Sequence, residues 1–453
     1  MRRHHPLAKS RSGLAKTDDA PGSQGPGKRI RIGTSGVNFA GTNFAMNFAI
    51  DAPHVLFVGG EDHNLRIPFL RAMVARGFRV SAASTGDPAP FAAAGLAHHA
   101  FRFERFVAPF ADYNGLRSLR ALLDSVGADI VQSFDTKPNI LVPLAAAGGH
   151  CQTIRTINGM GWVYSSRSPL AMALRPVQLV LHRRAAAHVA ATVFQNRDDQ
   201  ALFERHHLLG AGSSVLIQGS GVDIDGMDAA LACAPSREAM RASLGLGDAP
   251  VVITVTRLTR QKGIPALLRA AALVHRVRPE IRFVLVGPIE SEGPFAVTRE
   301  EIEPHGAYVT ALGRRNDVAA LLRAADLFAF PTEYREGVPR ALMEAALAGL
   351  PLAATAMPGC SDVVEDGVTG RLVPPRDPRR LADAVLAMLA DGDGSAAMAR
   401  RARQHVRAGF GLDNVADRYA TLYRSVLGRA VLGQPDATPA PVTLAEPAEA
   451  SAS

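Results

Sequence analysis

Short apolar runs alternate with longer amphipathic stretches along most of the chain, beginning near residue 53. The first apolar run, 54–58, ends in a glycine pair at 59–60, and a helical pattern over 65–76 follows it. A second apolar run then covers 79–83. Buried strands that are separated by helices of about a dozen residues are typical of a parallel sheet covered by helices on both faces.

This alternation occurs in two series, separated by a turn-prone Gly-Ser-Gly-Val-Asp segment at 219–223. The first series continues with predicted strands at 129–133, 152–157, 192–195 and 214–218 and helices at 115–126, 139–147, 169–187 and 198–206. The second has predicted strands at 251–256, 282–286, 308–312, 326–330, 352–355 and 370–373 and helices at 264–277, 318–323 and 340–348. We therefore predict an α/β protein with two Rossmann-like, doubly wound domains that face a central cleft.

The predicted organisation has five parts. They are a disordered basic leader (1–52), an N-terminal Rossmann-like domain (53–222), a C-terminal Rossmann-like domain (223–408), a C-terminal helix that packs back toward the N-terminal domain (409–430) and a disordered tail (431–453). Low-complexity composition without a sustained period predicts disorder at both ends. Met46 offers an alternative start to the chain.

The basic balance of the chain does not indicate nucleic-acid binding. The net charge is +8 over 453 residues, but residues 1–50 alone hold eight Lys/Arg and two Asp/Glu. Most of the excess charge is therefore in the leader rather than on a folded face. The three cysteines have no metal-site or disulfide spacing, which favours a reducing cytoplasm. No apolar run reaches the roughly 18 residues of a membrane-spanning helix.

The segment 335–351 carries the densest chemical signal. It reads Arg-Glu-Gly-Val-Pro-Arg-Ala-Leu-Met-Glu and then Ala-Ala-Leu-Ala-Gly-Leu-Pro, directly after a predicted strand and at the start of a predicted helix. Glu336 lies before this helix and Glu344 lies about one turn into it. A carboxylate can accept protons from both hydroxyls of a vicinal diol, while Gly337 and the helix start give a ligand access to free N–H groups.

Two other strand ends carry weaker signals. Arg257 and Lys262 lie in a loop between a predicted strand and helix of the second series, and both are suited to binding phosphates. Gly59 and Gly60 allow close approach of a ligand to the backbone after the first strand. Neither a Gly-x-Gly-x-x-Gly fingerprint nor a P-loop accompanies them.

These residues resemble glycosyltransferase family 4, a group of retaining enzymes with the GT-B fold. The resemblance covers roughly residues 53–427 and is most specific in the E-x7-E region at 335–349. Further matching segments lie at 357–365, 366–370 and 372–376, and segments similar to the bacterial branch that builds surface polysaccharides or lipid-linked oligosaccharides lie at 136–139, 156–161, 194–198 and 334–340.

The resemblance implies a role for each part of the cleft. Residues 53–222 would form the acceptor domain, and 223–408 would form the nucleotide-sugar donor domain. Arg257 and Lys262 would bind the donor diphosphate and stabilise the departing nucleotide. Glu336 would bind the transferred sugar and Glu344 the ribose hydroxyls. The remaining donor-pocket residues would be Gly60, Gly337, Val338 and Pro339. The family transfers sugars without a bound metal, so neither a metal nor another cofactor is expected.

Two acceptor-side residues are Asn158, which departs from the family pattern, and His63, which has both a functional and a structural interpretation. Many family members have His before Gly in a loop of the first domain, where this chain has Asn158 and Gly159. A neutral amide cannot accept a proton, so Asn158 is expected only to form hydrogen bonds. His63 follows the first strand and is a candidate cleft residue, although a lone histidine is more often structural.

The expected partners are a UDP-sugar, with an N-acetylhexosamine as one option, and a polyprenyl-diphosphate-linked sugar acceptor. The stretch 169–189 is basic and amphipathic, which fits either a packed helix or a helix at an anionic membrane surface. We therefore expect a cytoplasmic protein bound peripherally to the inner face of the cell membrane. A nucleotide-sugar epimerase of the same two-domain shape and a non-catalytic sugar-nucleotide-binding subunit remain as alternatives.

Overall fold

The computed structural model describes residues 52–101, 109–166, 168–289 and 295–432. The predicted leader and tail lie almost entirely outside these residues. Within them the chain forms two parallel sheets, each covered by helices on both faces, so the predicted fold class is confirmed.

The first sheet has seven strands in the order β3-β2-β1-β4-β5-β6-β7. Its strands are β1 His54–Val58, β2 Arg79–Ser84, β3 Ala97–Ala100, β4 Ile130–Phe134, β5 Gln152–Ile157, β6 Ala191–Phe194 and β7 Ser213–Leu216. Its helices are α1 Ile67–Ala75, α2 Ala89–Ala93, α3 Pro109–Val126, α4 Pro138–Ala146, α5 Gly161–Ser165, α6 Pro169–Ala186 and α7 Arg197–Arg205. A 3-10 helix, Glu61–Arg66, precedes α1.

The second sheet has six strands in the order β10-β9-β8-β11-β12-β13. Its strands are β8 Val251–Val255, β9 Arg282–Val286, β10 Val309–Ala311, β11 Leu327–Phe330, β12 Leu352–Thr355 and β13 Arg371–Val373. The helices that follow β7 are α8 Ile224–Cys233, α9 Arg237–Ser243, α10 Ile264–Val277, α11 Arg299–Ile302, α12 Val318–Ala324, α13 Arg340–Leu347, α14 Pro378–Ala390, α15 Gly392–Gly409 and α16 Leu412–Leu432.

The strand ends meet because the strands are parallel and in close register. Val58 of β1 pairs with Ser133 of β4, and Ser133 pairs with Arg155 of β5. In the second sheet, Val255 of β8 pairs with Val286 of β9. The loops that follow these strands therefore share one edge of each sheet, where ligands bind in doubly wound folds.

The two halves are linked by two adjacent chain crossings. The backbone N–H of Val222 donates to the carbonyl of Phe410 at 2.9 Å, and the N–H of Leu412 donates back to Val222 at 3.0 Å. Helix α16 then packs on the first sheet, where Tyr419 and Tyr423 join the core around β1 and β4. Each sheet has its own apolar core, and on that basis we propose the domain boundary at 222/223.

Candidate active site

The loop after β8 carries two cations to the carboxyl edge of the second sheet. Arg257 lies two residues after β8 ends, and Lys262 lies two residues before α10 begins. Gly263 separates Lys262 from α10 with a φ of 72°, and a β-carbon there would overlap the carbonyl oxygen of Pro331. Glycine therefore lets this loop approach the segment after β11, which places Lys262 beside residues 331–336.

Lys262 and Glu336 form a largely buried ion pair. Lys262 Nζ contacts Glu336 Oε1, and the hydroxyl of Thr332 donates to the same oxygen at 3.2 Å. The two side chains are only 12% and 15% exposed, and Nζ lies 5.5 Å from the ring centre of Tyr334. The resemblance assigns Lys262 to the diphosphate and Glu336 to the sugar. Their contact therefore brings together the groups expected on either side of the bond that links sugar to phosphate.

Helix α13 begins four residues after Glu336. The helix begins at Arg340, as predicted, with Pro339 as its N-cap. Glu344 lies one turn into the helix and accepts from Arg340 Nε at 2.7 Å. Arg340 Nη1 also donates to the carbonyl of Leu65 at 3.4 Å, so the helix start contacts the first half across the cleft.

On the opposite side of the cleft, Asp135 is a polar centre that the sequence analysis did not single out. Its carboxylate accepts from Gly60 N–H at 3.0 Å, from Asn158 Nδ2 at 2.8 Å and from Arg66 Nη2 at 3.3 Å. Asn158 Oδ1 accepts in return from the Asp135 N–H at 3.2 Å. Asp135 directly follows β4 and has a φ of 69°, which is uncommon for a residue with a side chain. Its place at a strand end was the available sequence signal.

The surroundings of Asp135 suit positioning better than proton abstraction. Burial would raise the pKa of Asp135, but the Arg66 guanidinium and the hydrogen bonds from Asn158 and Gly60 more than offset this and hold its pKa below the usual value. A carboxylate with a lowered pKa is a weak base. Asp135 therefore fixes the orientations of Asn158 and Arg66 at the edge of the cleft.

His63 lies beneath the cleft rather than in its lining, which corrects the expectation that it faces an acceptor. The residue is 1% exposed, and its ring stacks against Phe91 at 5.8 Å and lies 6.1 Å from Phe134. A β-carbon at Gly59 would overlap this ring. The close approach that Gly59 permits is therefore to His63, and Gly60 is the member of the glycine pair that reaches the cleft.

Buried histidines are expected to make the protein less stable in mild acid. Burial lowers the pKa of His63, and burial together with the charge of Arg155 lowers the pKa of His182 to about 3. In the unfolded chain a histidine binds a proton near pH 6.5, whereas the buried histidines of the folded protein stay neutral. Their contribution to the unfolding free energy is therefore fully present above that pH and is lost as the pH falls toward the folded pKa values. Replacing His63 with Gln should make the fall of unfolding free energy between about pH 6 and 5 shallower by on the order of 1 kcal/mol per pH unit. The unfolding free energies of both proteins are measured by urea titration at several pH values. Parallel plots of unfolding free energy against pH for the two proteins would contradict this prediction.

A cleft of about 1380 Å³ is lined by predicted site residues from both halves of the protein. Gly60, Asn158, Arg257, Gly337 and Val338 line it. Lys262, Glu336, Pro339 and Glu344 are not among its lining residues, although Lys262 and Glu336 are the sequence neighbours of the lining residues Gln261 and Gly337. Among the described residues, no three His, Cys, Asp or Glu side chains are grouped as metal ligands. Within the same ranges, no helix is long and apolar enough to cross a membrane.

Comparison with known proteins agrees with this geometry. Residues 249–391 match the family described as glycosyl transferases group 1, and residues 69–203 match the glycosyltransferase family 4 model. One match falls in each half of the protein, and the two together cover more than half of the chain. The chain belongs to the group 1, family 4 glycosyltransferases. This family transfers a sugar from a nucleotide-sugar, so the epimerase and non-catalytic alternatives are not supported.

The sequence identity to individual relatives is low. The chain is 23% identical to the N,N'-diacetylbacillosaminyl-diphospho-undecaprenol alpha-1,3-N-acetylgalactosaminyltransferase of Campylobacter jejuni, over 70% of this chain and 83% of that protein. It is 35% identical to the D-inositol 3-phosphate glycosyltransferase of Mycobacterium avium, over 51% of this chain and 54% of that protein. The chain thus spans about half the length of the inositol-phosphate relative. HepE from Anabaena, solved with UDP-glucose, has the same fold with a TM-score of 0.67 and 20% identity, over 82% of this chain and 99% of that one.

Proposed function

We propose that this protein is a retaining transferase that moves a sugar from a UDP-sugar to a polyprenyl-diphosphate-linked saccharide at the inner face of the cell membrane. The observation that carries the acceptor half of this proposal is the apolar wall of the cleft. Helices α3, α4 and α6 form this wall, with Leu116, Ile140, Leu144, Leu170, Leu174 and Val177 facing the cleft. A wall of this kind suits the hydrocarbon chain of a lipid carrier better than a free sugar.

The donor half rests on the chemistry of the second half of the cleft. Arg257 and Lys262 supply cations for a diphosphate, and Glu336 supplies a carboxylate for sugar hydroxyls. The choice of uridine is supported by the UDP-glucose in the HepE structure. The choice of an N-acetylhexosamine is supported by the name of the Campylobacter relative, which transfers N-acetylgalactosamine to a lipid-diphosphate-linked sugar.

The proposed reaction needs no protein base and no cofactor. The bond between the anomeric carbon and the β-phosphate oxygen breaks, and Arg257 and Lys262 stabilise the negative charge that develops on the departing UDP. The acceptor hydroxyl bonds to the anomeric carbon on the same face, which retains the configuration. Its proton passes to the leaving phosphate oxygen. This route is compatible with Asn158, whose amide has no proton-accepting role.

The membrane half of the proposal rests on α6. Leu170 and Val177 are 63% and 53% exposed on the helix face that borders the cleft, and Val180 is 45% exposed. Arg183 and Arg184 are exposed at its carboxyl end. An apolar stripe with neighbouring arginines is suited to the surface of an anionic bilayer, where the apolar side chains enter the lipid and the arginines face the headgroups.

Charges placed on this stripe are expected to release the protein from membranes. The double variant Leu170→Glu, Val177→Glu should bind phosphatidylglycerol-containing vesicles at least about tenfold more weakly, because two apolar side chains are lost from the lipid contact and two negative charges are added. Val277→Glu is the matched control, since Val277 is 65% exposed on α10 in the other half. Vesicle sedimentation should separate the double variant from wild type and control. Equal binding by all three proteins would contradict a docking role for α6.

The acceptor is tested by following the transferred sugar. A UDP-N-acetylhexosamine labelled in the sugar should yield label that enters organic solvent when the enzyme is incubated with a bacterial lipid extract. A label that remains in the water phase, while free UDP accumulates, would contradict a lipid-linked acceptor.

A further inference from the structure

Asn196 in the first half of the protein binds the backbone of the loop between β11 and α13 in the second half. This loop, residues 331–339, contains Glu336 and is called the donor loop below. Asn196 is the N-cap of α7, where its Oδ1 accepts from the Asp199 N–H at 2.8 Å. Its Nδ2 donates to the carbonyl of Glu336 at 3.0 Å and lies 3.4 Å from the carbonyl of Gly337. The side chain is fully buried. One amide therefore caps a helix and fixes the two peptide carbonyls on the carboxyl side of Glu336.

A buried ion pair holds the residue on the other side of Glu336. Arg335 Nη2 and Nε donate to Asp199 Oδ1 at 2.8 and 3.2 Å. The second oxygen of Asp199 accepts from Asn196 Nδ2 at 3.0 Å. The Asp199 side chain is 0% exposed and that of Arg335 is 21% exposed. The N–H of Arg335 also donates to the hydroxyl of Ser165 at 2.9 Å, again in the first half.

The donor loop is also in close steric contact with the first half. A β-carbon at Gly337 would overlap Gln195 Oε1, and a β-carbon at Gly159 would overlap the carbonyl oxygen of Arg335. Gly159 has a φ of 109°, so its position in the loop requires glycine for conformational reasons as well. These contacts leave the backbone of 335–337 little room to move relative to α7.

We infer that Asn196 and Asp199 are positioning residues that set the place of the Glu336 carboxylate in the donor site. Asn196 binds the chain after Glu336, and Asp199 binds Arg335 before it, so the backbone of Glu336 is held from both sides by α7. The side chain of Glu336 then needs only its contacts with Lys262 and Thr332 to be oriented. The first half of the protein thereby completes the donor site as well as holding the acceptor.

This inference rests on the proposed donor role of Glu336 and is independent of the acceptor. A displaced carboxylate should slow the chemical step and leave the binding of the nucleotide largely intact, because Arg257 and Lys262 belong to a different loop. A purely structural role would instead lower the stability of the protein without changing turnover per folded molecule.

The test uses Asn196→Ser in the full chain. Serine is also a strong N-cap, so the start of α7 is kept, but it lacks the amide N–H that reaches Glu336 and Gly337. We expect kcat for nucleotide release from the donor to fall about tenfold or more, while the Kd for free UDP stays within about twofold of wild type. Gln200→Ser is the matched control, because it removes an amide from the same helix whose partner is Ser214 rather than the donor loop. The control should keep the wild-type kcat.

A second variant guards against a folding defect in the first. Arg335→Lys keeps a cation beside Asp199 but cannot reproduce the paired donors of the guanidinium. Its kcat should also fall while the Kd for UDP is unchanged. Wild-type kcat in Asn196→Ser and Arg335→Lys, or a drop that is matched by an equal loss of UDP affinity, would overturn the positioning role.

Discussion

Lys262→Met is expected to slow sugar transfer by about 10²-fold or more, because loss of one preorganised group that stabilises the developing charge commonly costs this much. Lys262 is held at the donor loop by its contact with Glu336 and by the close passage of Gly263 past Pro331. Methionine retains most of the length and apolar stem of lysine, so the packing against Tyr334 should largely survive. Initial rates of nucleotide release at saturating donor measure the effect directly.

The control for this variant lies on the same loop. Arg260 pairs with Glu301 at 2.6 Å on the surface, and the two side chains are 50% and 36% exposed. Arg260→Met should therefore retain near wild-type turnover, since exposed ion pairs contribute at most about 1 kcal/mol. Glu336→Gln, which removes the carboxylate charge at constant shape, is expected to reduce turnover to a similar degree as Lys262→Met. Near-normal transfer by both Lys262→Met and Glu336→Gln would contradict the assigned donor site.

Arg335→Met is expected to destabilise the protein by about 3–5 kcal/mol, the usual cost of removing one partner of a buried ion pair. Asp199 is 0% exposed, and burial already raises its pKa while Arg335 and Asn196 oppose that rise. Without Arg335 the carboxylate would be left with hydrogen-bond donors but no cation. Urea-induced unfolding monitored by circular dichroism measures the change in unfolding free energy.

The surface pair again provides the comparison. Arg260→Met changes the same kind of side chain in an exposed ion pair, so its unfolding free energy should stay within about 1 kcal/mol of wild type. A loss of less than about 1 kcal/mol for Arg335→Met would mean that Asp199 is not stabilised by this cation. In that case the contact between Arg335 and Asp199 would have no energetic role between the two halves.

The repeating strands and helices were predictable because their cause is local. A buried parallel strand such as 54–58 is continuously apolar, and each helix shows its own period. The short elements were missed for the same reason. β3 is only four residues long, Ala-His-His-Ala, and it lies half-exposed at the sheet edge without an apolar run. Helices α8 and α9 follow the turn-prone segment 219–223, and α8 has no fully buried residue and hence little apolar periodicity.

The candidate site was predictable only where its residues are close in sequence. The loop at 257–263 and the segment 335–351 each carry their chemistry within a few residues of a strand end. The contact between Lys262 and Glu336 joins positions 74 residues apart, and that between Asn196 and Glu336 joins positions 140 apart. The first pairing depends on β8 and β11 being neighbours in the second sheet, and the second depends on how the two sheets are brought together. No single segment encodes either arrangement.

His63 is a residue that the sequence offered as a candidate for the cleft and that the structure places in the core. Its position after the first strand is compatible with a cleft residue and with a core residue, and the deciding contacts come from Phe91 and Phe134. Asp135, in contrast, also follows a strand, much as Gly60 does. It is a single acid without a motif, so the sequence alone did not indicate it as a site residue. Its role depends on Asn158, which follows β5, and on Arg66, which ends the 3-10 helix before α1.

We expect this cleft to bind a nucleotide-sugar and to transfer its sugar. The most direct test incubates the wild-type protein with a panel of nucleotide-sugars, with and without a bacterial lipid extract, and measures nucleotide release. We expect release from one UDP-sugar that increases in the presence of the extract and falls about 10²-fold in Lys262→Met. Equal, extract-independent release from every donor, or release that is unchanged in Lys262→Met, would contradict it.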